Sequence, residues 1–327
     1  MGFVRSLDLA IRAALATLIS GSALLGSLGI VLVLSLTGGV ALSAYAAELL
    51  NAIGITVPPS VWPVVWTTVS VGGLAWFGRA TGNAIRAERA ALLERTTPVS
   101  RASLEEATVI DSAVIRLARQ VDIPKPAVRI HSTSVPLAYT TYRSDDPIIR
   151  TGHCGTPVVV LSRGILINLS RSEMTAVLAH ELAHIANDDH RLFTGVLLPL
   201  VAAETIIEDE GYPSSVTDVC ASLLVFIASI GVGVFSRGRE LAADRGAVTM
   251  TGDPVALATA LEKLDGTGPD KPTTDLRKYA RSTNAINILP SFDTASTASG
   301  LRSTHPSLET RLDHILSLSA ERTESRR

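Results

Sequence analysis

His180, Glu181 and His184, in the run His180-Glu181-Leu182-Ala183-His184, are the residues whose types and spacing could most directly do chemistry. Residues four apart share a helical face, so both imidazoles can turn a ring nitrogen toward one metal ion. Glu181 then sits about 100° round the helix. From there its carboxylate can meet a water at the metal, joining a Lewis acid to a general base, the pairing that hydrolyses peptide bonds. The competing account is a pair of solvated histidines that reached this spacing by chance. Ser170 and Glu173 weigh against it: they form a capping box that opens an apolar run over residues 174–185, so the motif falls on a properly started helix.

A catalytic zinc takes three protein ligands and keeps a position open for water, so a third donor is needed. His190 stands ten residues after His180, but that spacing requires a turn residue such as Gly where this chain has Asn187, a tolerable but inferior substitute. Glu240 lies further on, in Ser236-Arg237-Gly238-Arg239-Glu240-Leu241-Ala242-Ala243-Asp244. Topology favours Glu240, because an apolar hairpin that leaves one membrane face at Arg191 and returns at Arg237 delivers it beside the end of the motif helix. Asp244 shares a helical face with Glu240 and can accept the far N–H of a liganding histidine, fixing its tautomer. A solvated helix face paired with Arg239 is the alternative for both carboxylates.

These residues must be carried by a membrane protein. The chain has 327 residues of which 18% are charged, and its mean hydropathy is +0.32, more apolar than a soluble enzyme of this size. No charge occurs over residues 13–47 or 49–78, and each stretch supplies the roughly 20 residues that cross a bilayer. Crossings are expected near residues 15–36 and 61–77, with two shorter ones at 192–207, which contains Glu204, and 219–236. A buried soluble hairpin or two interfacial helices are the alternative for the last pair. Arg5 and Arg12, then Arg79, Arg86 and Arg89, then Arg191, then Arg237 and Arg239 flank the spans on one side, while residues 49–60 and 208–218 hold no Lys or Arg. That asymmetry puts both termini and the motif in the cytoplasm.

A cleavable signal ending near Ala44-Tyr45-Ala46 competes with an uncleaved anchor, and the length of the apolar region favours the anchor. Met1-Gly2 with Ser6 fits a myristoylation pattern formally. Cys154 and Cys220 are the only cysteines, which excludes a disulfide framework. A net charge of −2 excludes a nucleic-acid partner.

The expected fold is mostly α with a small β-sheet, α+β, with about four transmembrane helices and a cytoplasmic zincin-type protease domain. Residues 1–80 form the first transmembrane hairpin, 81–190 the first part of the protease domain, 191–236 the second hairpin and 237–318 the second part of the domain. Residues 319–327 are expected to be a disordered tail. Helices are expected at 86–95, 103–121, 239–250, 255–264 and 307–318, with strands at 128–131 and 157–161. Residues 266–304 read as a long mobile loop of the kind that gates sites.

The sequence resembles the HtpX family of membrane zinc metalloproteases. The resemblance rests on the motif with Asn187 and Asp189, on Ser236-Arg237 leading to Glu240 and Ala243-Asp244, and on Thr251-Gly252-Asp253-Pro254 with Ala256-Leu257 and Ala260-Leu261-Glu262-Lys263. His305-Pro306 with Glu309 and Arg311 is similar to that family's C-terminal signature. The likeness runs from about residue 162 to 312, with the N-terminal third similar only in hydropathy. Ala138-Tyr139-Thr140 departs from the family's Asn-Ala-Phe-Ala type of strand. The resemblance implies one zinc ion on His180, His184 and Glu240, Glu181 as the base, and cleavage of damaged or misfolded membrane proteins.

The partners implied are polypeptide substrates, membrane proteins first, the lipid bilayer, and further copies of the chain as an open alternative. A strand at 128–131 or 157–161 could hold substrate by β-augmentation. His305 or Arg311 could stabilise the oxyanion, or instead serve as a helix cap and a salt bridge to Glu309. His153 beside Cys154 is a weaker candidate for a second metal site. Narrower alternatives are CAAX-type or signalling proteolysis and, outside enzymes, a membrane metal-binding scaffold.

Overall fold

A 51-residue helix, α1 (Gly2–Ala52), is the axis on which the membrane part is built. At 1.5 Å per residue it is about 76 Å long, more than twice the ~30 Å hydrocarbon core of a bilayer. The computed structural model describes residues 2–148, 155–188, 198–204, 206, 215–266 and 305–325. Among these, Ala14–Ala52 of α1, the second helix α2 (Val61–Glu94) and a later helix, Val216–Thr251, are long and apolar enough to cross a membrane.

The two partners of α1 sit at different heights. Its C-terminal half packs antiparallel to α2: Trp66 Nε1 donates to Ser43 Oγ at 3.0 Å, Gly39 lies against Trp66 and Val69, and Val31 packs with Phe77. Its N-terminal half packs against Val216–Thr251 through small residues. Ala16 and Ser20 face Gly231, where an added Cβ would strike Ser20 Oγ, and Gly26 faces Leu224. Small residues let helix backbones approach where lipid supplies no hydrophobic drive. The expected apolar stretches 61–77 and 219–236 are therefore stacked along α1 rather than level with one another. Of the expected third crossing, residues 198–204 are helical, with Leu200 and Ala202 buried, and the remainder lies outside the described residues except Ile206.

Beyond the membrane stretch, α2 runs unbroken to Glu94 and leads into a four-stranded sheet of order β1-β2-β4-β3. Its strands are β1 (Thr96–Pro98), β2 (Ala127–His131), β3 (Ala138–Thr141) and β4 (Val158–Ser162). β1 pairs antiparallel with β2, β2 parallel with β4, and β4 antiparallel with β3. This corrects the sequence reading of the substrate edge. The strands expected at 128–131 and 157–161 are β2 and β4, both interior, so their ladders are already occupied. The edge beside the motif helix is β3, whose four residues are all buried and so lack the alternation that marks a strand in sequence.

The remaining helices are α3 (Leu104–Gln120), α4 (Arg163–Asn168), α5 (Arg171–Ala186), α6 (Val216–Thr251), α7 (Pro254–Gly266) and α8 (Leu308–Ser325). Expected boundaries at 80 and 236 fall inside α2 and α6, which continue through them. The disordered tail expected from residue 319 is also corrected: α8 extends to Ser325, because Ala320, Glu321 and Arg322 are good helix formers that let the last turns propagate. Of the loop expected at 266–304, Gly266 is the last residue of α7 and the rest lies outside the described residues, as do His153, Cys154, Asp189 and His190.

The main core joins α3, β2, β3, β4, α4, α5, α6, α7 and α8, with Leu117, Leu161, Ile165, Leu178, Leu182, Leu257, Leu261 and Ile315 at 1% exposure or less. Each such side chain contributes about 1.5–3 kcal/mol by leaving water. Helix α5 is buried almost all round, from Met174 to His184. Its position in the middle of this core holds the motif rigidly.

Candidate active site and metal centre

Helix α5 starts where its capping box dictates. Ser170 Oγ accepts the Glu173 N–H, and Glu173 Oε2 accepts the Ser170 N–H at 2.7 Å. Glu173 is also fixed from outside by Lys263 Nζ of α7, 2.8 Å away. Two turns on, the helix presents His180 and His184 to α6. Their Nε2 atoms lie 3.1 Å apart and the rings meet edge to face, with centroids 4.7 Å apart. An added Cβ at Gly246 would come within 2.6 Å of Ala183 Cβ, so this glycine lets α6 approach α5 closely beside the motif.

That approach carries Glu240 to the two imidazoles. Glu240 Oε2 is 3.6 Å from His180 Nε2 and Oε1 is 3.5 Å from His184 Nε2, and one ligand atom from each of the three residues lies within 4.8 Å of the others. All three side chains are buried. One turn along α6, Asp244 Oδ1 lies 2.9 Å from His180 Nδ1. Asp244 is held in turn by the buried guanidinium of Arg311 from α8: Nε donates to Oδ2 at 2.8 Å and Nη2 to Oδ1. Burial works against the Arg311 charge, but Asp244 outweighs it and holds the guanidinium pKa above its ordinary value. Arg311 is thus turned toward Asp244 and not toward Glu309, and its Nη1 lies 3.8 Å from Glu240 Oε2. His305 Nδ1 is 3.4 Å from the same oxygen.

Glu181 occupies the other side of the motif. Its Oε2 accepts a 2.8 Å hydrogen bond from Thr140 Oγ1 on β3, and its Oε1 is buried with no hydrogen-bond partner among the described residues. Burial pushes the Glu181 carboxyl above its ordinary pKa, against the opposing pull of His184, His180 and the Thr140 hydroxyl. Asn187 is the exposed C-cap of α5 with φ −78°, and the left-handed residue that follows is Asp188, φ 53°. The sharp turn therefore comes one residue later than the pattern with His190 would require.

The donor set itself tests whether a metal fits. The Nε2 atoms of His180 and His184 converge with a carboxylate whose Oε2 is buried and finds no hydrogen bond among the described residues. On the far side of that ring Asp244 Oδ1 stands 2.9 Å from His180 Nδ1. Two imidazole nitrogens and one carboxylate oxygen, all dry, match the ligand set of a catalytic divalent ion. Thr140 and Gly246 were not read from the sequence. No spacing rule singles out a threonine on a strand without alternation, and a glycine inside a helix signals only close packing.

Fold and site together define the class: a metalloendopeptidase carried on membrane helices. The family model described as peptidase family M48 matches residues 105–319, and the chain belongs to that family. A protein of Moorella thermoacetica named "Protease HtpX homolog" is 36% identical over 239 residues, covering 68% of this chain and 76% of its own. "Protease HtpX homolog 1" of Streptomyces coelicolor is 32% identical over 280 residues, covering 81% and 85%. The chain is an HtpX-like membrane metalloprotease. Among solved structures, the crystal structure of S. mikatae Ste24p is similar with a TM-score of 0.39 and 18% identity, covering 68% of this chain and 52% of that one.

Proposed function

We propose that the chain is a zinc-dependent endopeptidase of the cytoplasmic membrane, with its site on the cytoplasmic side, that cleaves misfolded or damaged membrane proteins. His180, His184 and Glu240 would hold the ion. When bound, it would supply Lewis-acid polarisation of the scissile carbonyl and acidify a water. The observation that carries the reading is the meeting of these three buried donors, with the buried carboxylate of Glu181 beside them and its Oε1 without a hydrogen-bond partner among the described residues.

Glu181 acts as the general base: Oε1 takes a proton from the attacking water and delivers it to the departing amide nitrogen. Burial favours this, because a carboxylate with a raised pKa is a better proton acceptor at neutral pH. Asp244 fixes the ring of His180, and Arg311 keeps Asp244 charged and oriented. The substrate backbone would lie along β3, the sheet edge nearest the motif, and recognition of backbone rather than side chains suits a protease of unfolded chains. The Arg flanks at residues 5–12, 79–89 and 237–239 support the cytoplasmic orientation.

Replacing Glu181 with Gln in the detergent-purified protein is expected to leave metal bound and to reduce casein cleavage about 10²- to 10⁴-fold. Cleavage at the native rate would exclude Glu181 as the base.

A further inference from the structure

Thr140 holds a place for which neither the sheet nor the core accounts. It is 1% exposed on β3, and its strand neighbour Ala138, on the same face, belongs to the main apolar core. Leu137 and Tyr139 face the opposite side, in a separate cluster with Val158 and Val160. A valine would fill the same volume, and a buried hydroxyl is costly unless it is bonded. The bond Thr140 makes is to Glu181 Oε2, at 2.8 Å.

Glu181 has three side-chain torsions, and the burial of its carboxylate does not by itself fix which oxygen points where. The Thr140 bond distinguishes the two oxygens: Oε2 is tied to the sheet, and Oε1 is left buried without a hydrogen-bond partner among the described residues. The tie is firm only if β3 is fixed, and it is anchored on both sides. Tyr139 Oη donates to the Leu92 carbonyl of α2 at 2.6 Å, and the Leu137 N–H donates to Ser162 Oγ at 2.9 Å.

We propose that Thr140 is a positioning residue for Glu181, pinning one carboxylate oxygen so that the other stays free to accept the proton of the attacking water. The inference rests on the reading of Glu181 as base and extends it to a residue on another element. A hydrogen bond to a charged group, together with the sensitivity of proton transfer to misplacement, sets its size.

The test uses the full chain purified in detergent, with Thr140→Val as the near-isosteric variant, Thr140→Ser as the rescue and Glu181→Gln as the reference. Labelled casein is the substrate and zinc content is measured alongside. Thr140→Val is expected to keep its zinc and a KM within about twofold, and to lose about 10- to 100-fold in kcat. Thr140→Ser is expected to recover most of that loss. In metal-free protein, the infrared carboxylate band that disappears in Glu181→Gln should shift in Thr140→Val and return in Thr140→Ser, a readout independent of turnover. Native kcat and an unshifted band in Thr140→Val, with Glu181→Gln inactive, would overturn the role of Thr140 and leave the base intact. An active Glu181→Gln would remove the base reading and this one with it. Equal losses in Thr140→Val and Thr140→Ser would also overturn it, since the hydroxyl would then not be the operative group. If Thr140→Val does not accumulate, Thr140→Ala carries the same comparison.

Discussion

Around α5, most of the polar groups that set the site are buried with a partner at a defined distance; along α1, contacts run between small residues while the outward surface is apolar. Asp244 joins three elements by touching His180 of α5 and Arg311 of α8. Ala16, Ser20 and Gly231 join two helices by little more than the absence of side chains. The first arrangement is specified by charge and hydrogen bonding and tolerates little change. The second is specified by shape and tolerates substitution wherever a side chain faces outward. Leu18 and Leu25 of α1 are 71% and 72% exposed, whereas Leu178 of α5 is fully buried.

The comparison breaks most sharply at Arg311. Arg311→Met should leave Asp244 charged in the core with the His180 ring beside it but without its cationic partner, costing about 3–5 kcal/mol. Denaturant unfolding in detergent checks it, and a loss below about 1 kcal/mol would mean that the ion pair is not what fastens α8 to the centre. The next contrast pairs two leucines. Leu178→Ala should cost about 2–5 kcal/mol, and Leu25→Ala less than about 0.5 kcal/mol, in the same unfolding assay. Similar losses would erase the distinction between the two regions.

A smaller effect than those of Arg311 and Leu178 is expected at Glu173. Glu173→Gln should cost about 1 kcal/mol at neutral pH by weakening the cap of α5 and the contact with Lys263. Burial raises the Glu173 pKa, but the Lys263 and Ser170 contacts outweigh it and hold the carboxyl below its ordinary value near 4.5. A depressed folded pKa gives stability that is present above the unfolded value and lost as pH falls through the folded one. The native protein and Glu173→Gln should therefore converge in stability below pH 4.5, and a constant difference down to pH 3 would contradict the assignment.

How much was legible follows from the same contrast. His180, Glu181 and His184 were readable because helical spacing converts directly into a shared face. Glu240 and Asp244 were readable because hydropathy showed a hairpin returning at Arg237. Thr140 was not, since it reaches Glu181 through a sheet register that no local pattern encodes. Nor was the β3 edge, because four buried residues in a row carry no period. Hydropathy located the apolar stretches 61–77 and 219–236 but not their relative height, which depends on where small residues along α1 admit each partner. The turn of Arg311 toward Asp244 was equally hidden, since Glu309 is its neighbour in sequence and Asp244 its neighbour only in space.

The claim on which the account depends is that two elements jointly hold one ion, and zinc bound per chain measures it directly. The native protein, reloaded and freed of loose metal, should retain about one equivalent, and Glu240→Ala should lose it at chelator concentrations the native site withstands. Retention of a full equivalent by Glu240→Ala under the same challenge would contradict it.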